Sequence, residues 1–377
     1  MSKKIYGVGI IGAGFMGNTH AYNYVNMPLY YDNLPFSTKL VGICSRTLTK
    51  AQKLKEDWGF EFATDNYLDL IERDDIDIID VSTPTIFHYQ QTVDAIKAGK
   101  HVYIDKPLCA TAEEADKIVE IAETTDSIKQ MAYHYRFYPA MMKAKKLIDD
   151  GFLGKPLSYR AVHYHSSNLD PDKPMGWKQE KAMGGGGILI EMACHTLDLM
   201  CYFLGKYDRA HMESIILYPE RPRADGIWAK VEGEDHVLLT IKMKNGMLGT
   251  TEVSKVMVGT NEDLNFEIYG TEGAIKFEMM QPNFLWIYDR RDVCQTRGGT
   301  GGYKVLETIN KYSESLSNFP GPRFPIGWLR GHVGCQYNFV KCVHQNTPAS
   351  PSLKEAAYIQ KVIEAIYSGQ DNLGQIV

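Results

Sequence analysis

The stretch Ile5-Tyr6-Gly7-Val8-Gly9-Ile10-Ile11-Gly12-Ala13-Gly14-Phe15-Met16-Gly17 decides the fold. Ile5–Ile11 reads as a short apolar strand, and Gly12, Gly14 and Gly17 follow it in G-x-G-x-x-G spacing where a helix opens. Each glycine has its own physical reason. Gly12 permits a tight turn, Gly14 lets backbone approach a pyrophosphate, and Gly17 allows helix and strand to pack closely. The first helical N–H groups and the helix dipole then face the phosphates. Alone, the spacing is weak evidence; at the first strand-to-helix turn of an alternating chain it predicts dinucleotide binding, with Phe15 and Met16 in the loop. The second strand ends Cys44-Ser45-Arg46-Thr47, with no carboxylate to grip a ribose 2′-hydroxyl. A hydroxyl on Ser45 and the guanidinium of Arg46 suit a 2′-phosphate and favour NADP, whereas Arg46 stacked on the adenine works with NAD as well. The cofactor expected is therefore NAD(P)(H), with NAD not excluded.

Working outward, strand and helix patterns alternate through the first third. Leu40–Cys44, Ile76–Val81, His101–Ile104 and Ile128–Ala132 read as strands. Thr49–Trp58, Phe87–Ala98 and Ala112–Glu123 read as the helices between them. Such alternation predicts a parallel, doubly wound sheet. The rhythm changes near Tyr133. Leu157–His165 is a strand and Ile188–Leu204 a long apolar helix. Asn245-Gly246 and Gly270-Thr271-Glu272-Gly273 then punctuate two hairpins. The fold class is α/β: a dinucleotide-binding domain over 1–132, then an α/β domain over 133–377 whose later strands are mostly antiparallel. Met27–Thr38 and 290–328 read as insertions where specificity would reside, the latter a long loop or lid hinged at Gly298-Gly299 and Gly301-Gly302. Two helices near Cys335–His344 and Leu353–Ser368 close the chain.

The 377 residues carry a formal charge of −5 and 23% charged residues, and no Lys/Arg run stands out, which argues against a nucleic-acid partner. No run of about 18 apolar residues reads as a membrane span. Cys44, Cys109, Cys194, Cys201, Cys294, Cys335 and Cys342 are scattered without a C-x-x-C pair, so reduced thiols and a cytoplasmic location are expected. His163 and His165 share one strand face, but no third ligand stands at a diagnostic spacing, so no metal is expected.

Two further segments carry the chemistry. Thr83-Pro84-Thr85-Ile86-Phe87-His88 and Gly99-Lys100-His101-Val102-Tyr103-Ile104-Asp105-Lys106-Pro107-Leu108 both end at carboxyl ends of parallel strands, where ligands bind in such sheets. The run Gly184-Gly185-Gly186-Gly187 leads into Ile188-Leu189-Ile190-Glu191-Met192-Ala193-Cys194-His195-Thr196-Leu197-Asp198. An imidazole such as that of His195 suits proton transfer near neutral pH. An ammonium at Lys106 would stabilise negative charge developing on a ligand. Glu191 and His195, four apart, share one helix face.

Together, G-x-G-x-x-G with His20 behind it, T-P-x-x-x-H, G-K-H-V-x-x-x-K-P-L and the glycine run with H-x-x-D resemble the glucose–fructose oxidoreductase/inositol dehydrogenase (Gfo/Idh/MocA) family over nearly the whole chain. The resemblance implies a Rossmann domain, a second domain whose open sheet assembles a homodimer or homotetramer, and an NAD(P)-dependent oxidoreductase acting on a sugar, glycoside or cyclic polyol. It assigns Lys106, Glu191 and His195 to catalysis, and Thr83, Pro84, His88, Asp105 and Lys106 to the cofactor side. Arg136 and His165, with the catalytic three, face the substrate; Trp177, in the loop before the glycines, is read either as packing against a sugar ring or as a domain-interface aromatic, and His332 is a further substrate candidate. Asp105 stands where the family has Glu, and Glu191 where it has Asp; both keep the charge, and the longer Glu191 must be re-aimed. The resemblance leaves two alternatives: a glycoside hydrolase that oxidises, eliminates and re-reduces with one bound NAD, and a non-catalytic dinucleotide or sugar sensor.

Overall fold

A strand closed by glycine and answered by a helix, repeated, builds a sheet whose strands all run one way. The computed structural model describes residues 3–292, 301–309, 324–370 and 372–376. In it, β1 (Lys4–Ile11), β2 (Phe36–Cys44), β3 (Phe62–Thr64), β4 (Ile78–Val81), β5 (His101–Ile104) and β6 (Lys129–Met131) form a six-stranded parallel sheet in the order β3-β2-β1-β4-β5-β6. The order reverses between β1 and β4, and the crevice beyond their carboxyl ends is where such sheets take ligands. β3, only three residues long, leaves no periodic trace in the sequence.

Among the described residues the second sheet has eight strands. β7 (Pro156–Tyr164) is followed by β8 (Tyr207–Ile215), a ribbon of β9 (Glu220–Pro222) and β10 (Trp228–Lys230), then β11 (His236–Met243) and β12 (Leu248–Ser254). β13 (Asp263–Gly270), β14 (Gly273–Glu278), β15 (Phe284–Asp289) and β16 (Lys304–Glu307) complete it. The order is β16-β15-β14-β13-β7-β12-β11-β8, with β7 and β12 parallel and the other neighbours antiparallel. Both predicted hairpins form, and Gly246 takes φ +87°, as the Asn-Gly turn requires. Alternation along β11 buries Val237, Leu239, Ile241 and Met243 and leaves Leu238 on the open face. Phe203, on the apolar helix Cys194–Leu204, meets Phe266 of β13 edge-on under the covered face. That helix is a core element: within Lys181–Leu204, 83% of the most apolar 18-residue window is buried.

Three expectations are corrected. The chain does not divide once at residue 132. One compact unit comprises Met1–Phe137 with Ser313–Gln360, and the other Tyr138–Tyr312 with Lys361–Val377. The reason is hydrophobic: Val333, Cys335, Phe339 and Val340 of the helix Leu329–Gln345 are buried in one cluster with Tyr6, Val8, Ile10, Tyr24 and Phe36. Met27–Thr38 is no irregular stretch either. The first helix continues through Pro28 to Tyr30 and β2 begins at Phe36, while Tyr31 and Leu34 are buried between them. Finally, 290–328 is not one structureless loop, because β16 pairs with β15 inside it. Gly301 and Gly302 precede that strand, whereas Gly298 and Gly299 lie outside the described residues.

Candidate functional site

The glycine turn comes first. Gly12 has φ +122°, and a Cβ there would meet the Ser82 carbonyl at 2.5 Å. A Cβ on Gly17 would lie 1.8 Å from the Gly12 carbonyl, so that glycine is demanded by helix-to-turn contact. Gly14 is different: a Cβ there would find no atom within 4 Å. It stands at the start of the helix Phe15–Tyr30 with no side-chain cap, and no acidic residue occupies the first turn. An open glycine at an uncapped, uncharged helix N-terminus fits a pyrophosphate. Ser82, absent from the sequence expectations, donates its hydroxyl to the carbonyls of Ile11 and Gly12 and ties β4 to the turn. Phe15 is 72% exposed and leans on Trp328, with ring centroids 5.9 Å apart. Ser45 is half-buried and Arg46 exposed just past β2, with no carboxylate at the strand's end.

The lysine turn follows β5. Asp105 is nearly buried, its N–H donating to the Val81 carbonyl, and Lys106 is half-buried before Pro107. His88 is 1% exposed, and both its ring nitrogens face backbone carbonyls: Pro107 at 2.8 Å and Thr83 at 2.7 Å. The imidazole therefore braces the lysine turn against the Thr83-Pro84 turn and offers no nitrogen to a dinucleotide, which corrects its expected role. Thr83 donates its hydroxyl to Gln91. His20 is fully buried on Asp80 at 2.8 Å. Burial opposes its charge, but the Asp80 carboxylate outweighs that, and its pKa is raised.

Two further expectations in this unit give way. Arg136 is buried and pairs with Glu355 at 2.6 Å, so it anchors the start of the last helix instead of facing a substrate. A buried guanidinium needs acceptors, and no sequence spacing announces the carboxylate more than two hundred residues away that supplies one. His332 is 1% exposed and stacks on His134 with centroids 3.6 Å apart, which removes it from the substrate candidates.

The second unit holds His165, Trp177, Glu191 and His195. The glycine run is explained by close approach: a Cβ on Gly186 would meet the Tyr367 hydroxyl at 2.6 Å, and one on Gly187 the Glu234 amide at 2.3 Å. Tyr367 accepts a hydrogen bond from the Gly187 N–H and donates to Glu234, which also accepts from the Leu189 N–H at 2.9 Å. Burial raises the Glu234 pKa. These contacts open Leu189–Ala193, which winds as a π-helix before the regular helix Cys194–Leu204 begins. Single π turns recur at functional sites, and this one carries Glu191.

Glu191 pairs with Lys178 at 2.5 Å and with Lys255 on its other oxygen. Neither lysine was singled out from sequence. Lys255 follows β12 directly, and only the sheet register brings it to the π turn. His195 is 5% exposed, its ring centroid 6.3 Å from that of His163. Trp177 is 38% exposed with the Lys178 ammonium over its ring. His163 and His165 are joined by a third group the sequence did not offer: Glu262 lies 3.2 Å and 2.7 Å from their Nε2 atoms.

Comparison with known proteins agrees with this geometry. Residues 6–133 match the oxidoreductase family with an NAD-binding Rossmann fold, and residues 141–276 match the GFO/IDH/MocA C-terminal domain. Levoglucosan dehydrogenase of Pseudarthrobacter phenanthrenivorans is 29% identical, covering 95% of this chain and 94% of its own. The solved structure of a levoglucosan dehydrogenase with NADH superposes with a TM-score of 0.92 at 29% identity, covering 97% of each chain. Myo-inositol 2-dehydrogenase of Thermotoga maritima is 26% identical over 83% of this chain and 86% of its own. An open dinucleotide turn in one unit and a π turn with a carboxylate and an imidazole in the other, each inside a matching family domain, place this chain in the Gfo/Idh/MocA family of oxidoreductases.

Proposed function

We propose that the protein oxidises a secondary alcohol of a sugar, glycoside or cyclic polyol, with Lys106 and His195 as the catalytic pair. The observation that carries this is the π turn, where Glu191, held by two lysines, precedes a buried imidazole by four residues. His195 takes the hydroxyl proton, a role worth about 10²–10⁴ in rate. Lys106 supplies the ammonium that stabilises the developing alkoxide. Glu191 accepts a hydrogen bond from a neighbouring sugar hydroxyl, its longer side chain steadied by Lys178 and Lys255. A bound nicotinamide supplies the hydride acceptor. Relatives named for levoglucosan and inositol oxidation support a polyhydroxylated ring as substrate. The cofactor is NAD(P)(H), with Ser45 and Arg46 favouring the phosphorylated form, although solved relatives are complexed with NADH. The open face of the eight-stranded sheet, exposing Leu238 and Leu248, supports assembly into a homodimer or homotetramer, which light scattering would measure.

The test is incubation with NAD or NADP and a panel of polyols, anhydrosugars, free sugars and glycosides, following nicotinamide absorbance together with product masses. Reduced cofactor should accumulate. Cleaved glycoside without it would mean a recycled cofactor and glycoside hydrolysis. Ligand binding without any turnover would mean a sensor. His195→Ala and Lys106→Ala should each abolish turnover and retain cofactor binding; full activity in either removes the pair from the mechanism. Dissociation constants for NADPH and NADH decide the cofactor preference, and tighter NADH binding would overturn the role given to Arg46.

A further inference from the structure

His163 and His165 are two apart around the end of β7, so their side chains leave one face of the sheet. In the antiparallel pairing of β7 with β13, His163 stands opposite Leu264 and Tyr164 opposite Asp263. One more step of that register puts Glu262 across from His165 and diagonal to His163, within reach of both imidazoles. The distances bear this out: Glu262 Oε2 is 2.7 Å from His165 Nε2, and Oε1 is 3.2 Å from His163 Nε2. One ligand atom from each of the three side chains lies within 4.8 Å of the others.

We propose that His163, His165 and Glu262 form a three-ligand site for a divalent transition metal, zinc first. Two imidazole nitrogens and one carboxylate oxygen are a borderline donor set, suited to zinc or cobalt and too poor in oxygen for calcium or magnesium. Three protein ligands leave a fourth position for water, the pattern of an accessible zinc site. The surroundings suit this: His163 is anchored with its side chain 3% exposed, on a strand paired on both sides, while His165 and Glu262, 31% and 27% exposed, give an entry path. Without metal, the imidazole Nε2–H groups donate to the carboxylate, which holds the ligands together in advance of binding. The His163 ring is 6.3 Å from that of His195, so an ion here would perturb the neighbouring imidazole. Slowed turnover with zinc, reversed by a chelator, is a corollary that rests on the function proposed above.

The site itself is tested without turnover. Tag-free full-length protein, stripped by chelator, is titrated with cobalt(II) and followed by visible absorption, then by displacement with zinc. The expected result is a saturable ligand-field band at one equivalent per chain, with no sulfur-to-cobalt charge-transfer band. Glu262→Gln should weaken binding, and a Glu262→Gln/His165→Asn double variant should lose it. Metal-free melting temperatures serve as the folding control. Should the double variant not fold, the isosteric Glu262→Gln alone is read, and unchanged affinity there counts against the site. Absence of saturable binding, a thiolate band, or binding unchanged in the double variant would each overturn the proposal. None of these readouts depends on whether the chain is a dehydrogenase.

Discussion

Gly14 in the first unit and Gly187 in the second are both glycines at the opening of a helix, yet they make room for different things. A Cβ on Gly14 would point into open space, whereas one on Gly187 would strike the Glu234 amide at 2.3 Å. The first absence of a side chain leaves room for a ligand, the second for the protein's own chain. Motif reading treats the two alike, because both are written as runs of G. The difference is between a site and the scaffold that aims one, and it is open to experiment.

The largest effect should come from Gly187→Ala. Its Cβ must displace backbone that helps fix the π turn, so stability should fall by about 3 kcal/mol, measured by denaturant titration, with Glu191 and His195 disturbed and turnover lost. Parent-like stability would mean that the run is not packed as described. Gly14→Ala should leave stability unchanged within about 0.5 kcal/mol yet weaken dinucleotide binding about tenfold, read as a dissociation constant by fluorescence titration. The reverse result, loss of stability with intact affinity, would break the comparison. A smaller and pH-dependent effect is expected at the His20–Asp80 pair. The folded pKa of His20 is raised above 6.5, so its charged form contributes stability that is fully present below about 6.5 and is lost as pH rises through the folded value. The melting-temperature gap between the parent and His20→Gln should therefore narrow from pH 6 toward pH 9; a gap that widens would reverse the sign assigned here.

The first unit was legible where function and backbone make the same demand. A tight turn, a helix N-terminus and alternating elements each leave a local mark, so Gly12, Gly14 and Gly17 and five of the six parallel strands could be read directly. Met27–Thr38 misled because Pro28 and a cluster of Tyr and Asn look like loop chemistry. Packing of Tyr24, Tyr31 and Phe36 against a helix from the far end of the chain outweighs those local preferences. His88, Arg136 and His332 were legible as unusual residues but not in role. Their identities fit ligand binding, and only burial with Pro107, Glu355 and His134 reveals them as braces.

By itself the sequence determined the alternation of most elements in the first unit, the dinucleotide turn, two hairpins and the residue types available for proton transfer. All of these depend on spacings of a few residues, over which backbone geometry is nearly fixed. The tertiary structure alone decided which unit the helix Leu329–Gln345 joins, how Glu191 is held by Lys178 and Lys255, and that Glu262 meets His163 and His165. Those outcomes depend on strand register and on apolar surface shared between distant segments. A one-residue slip in either would turn the same side chains to the opposite face, and nothing local in the chain prevents it.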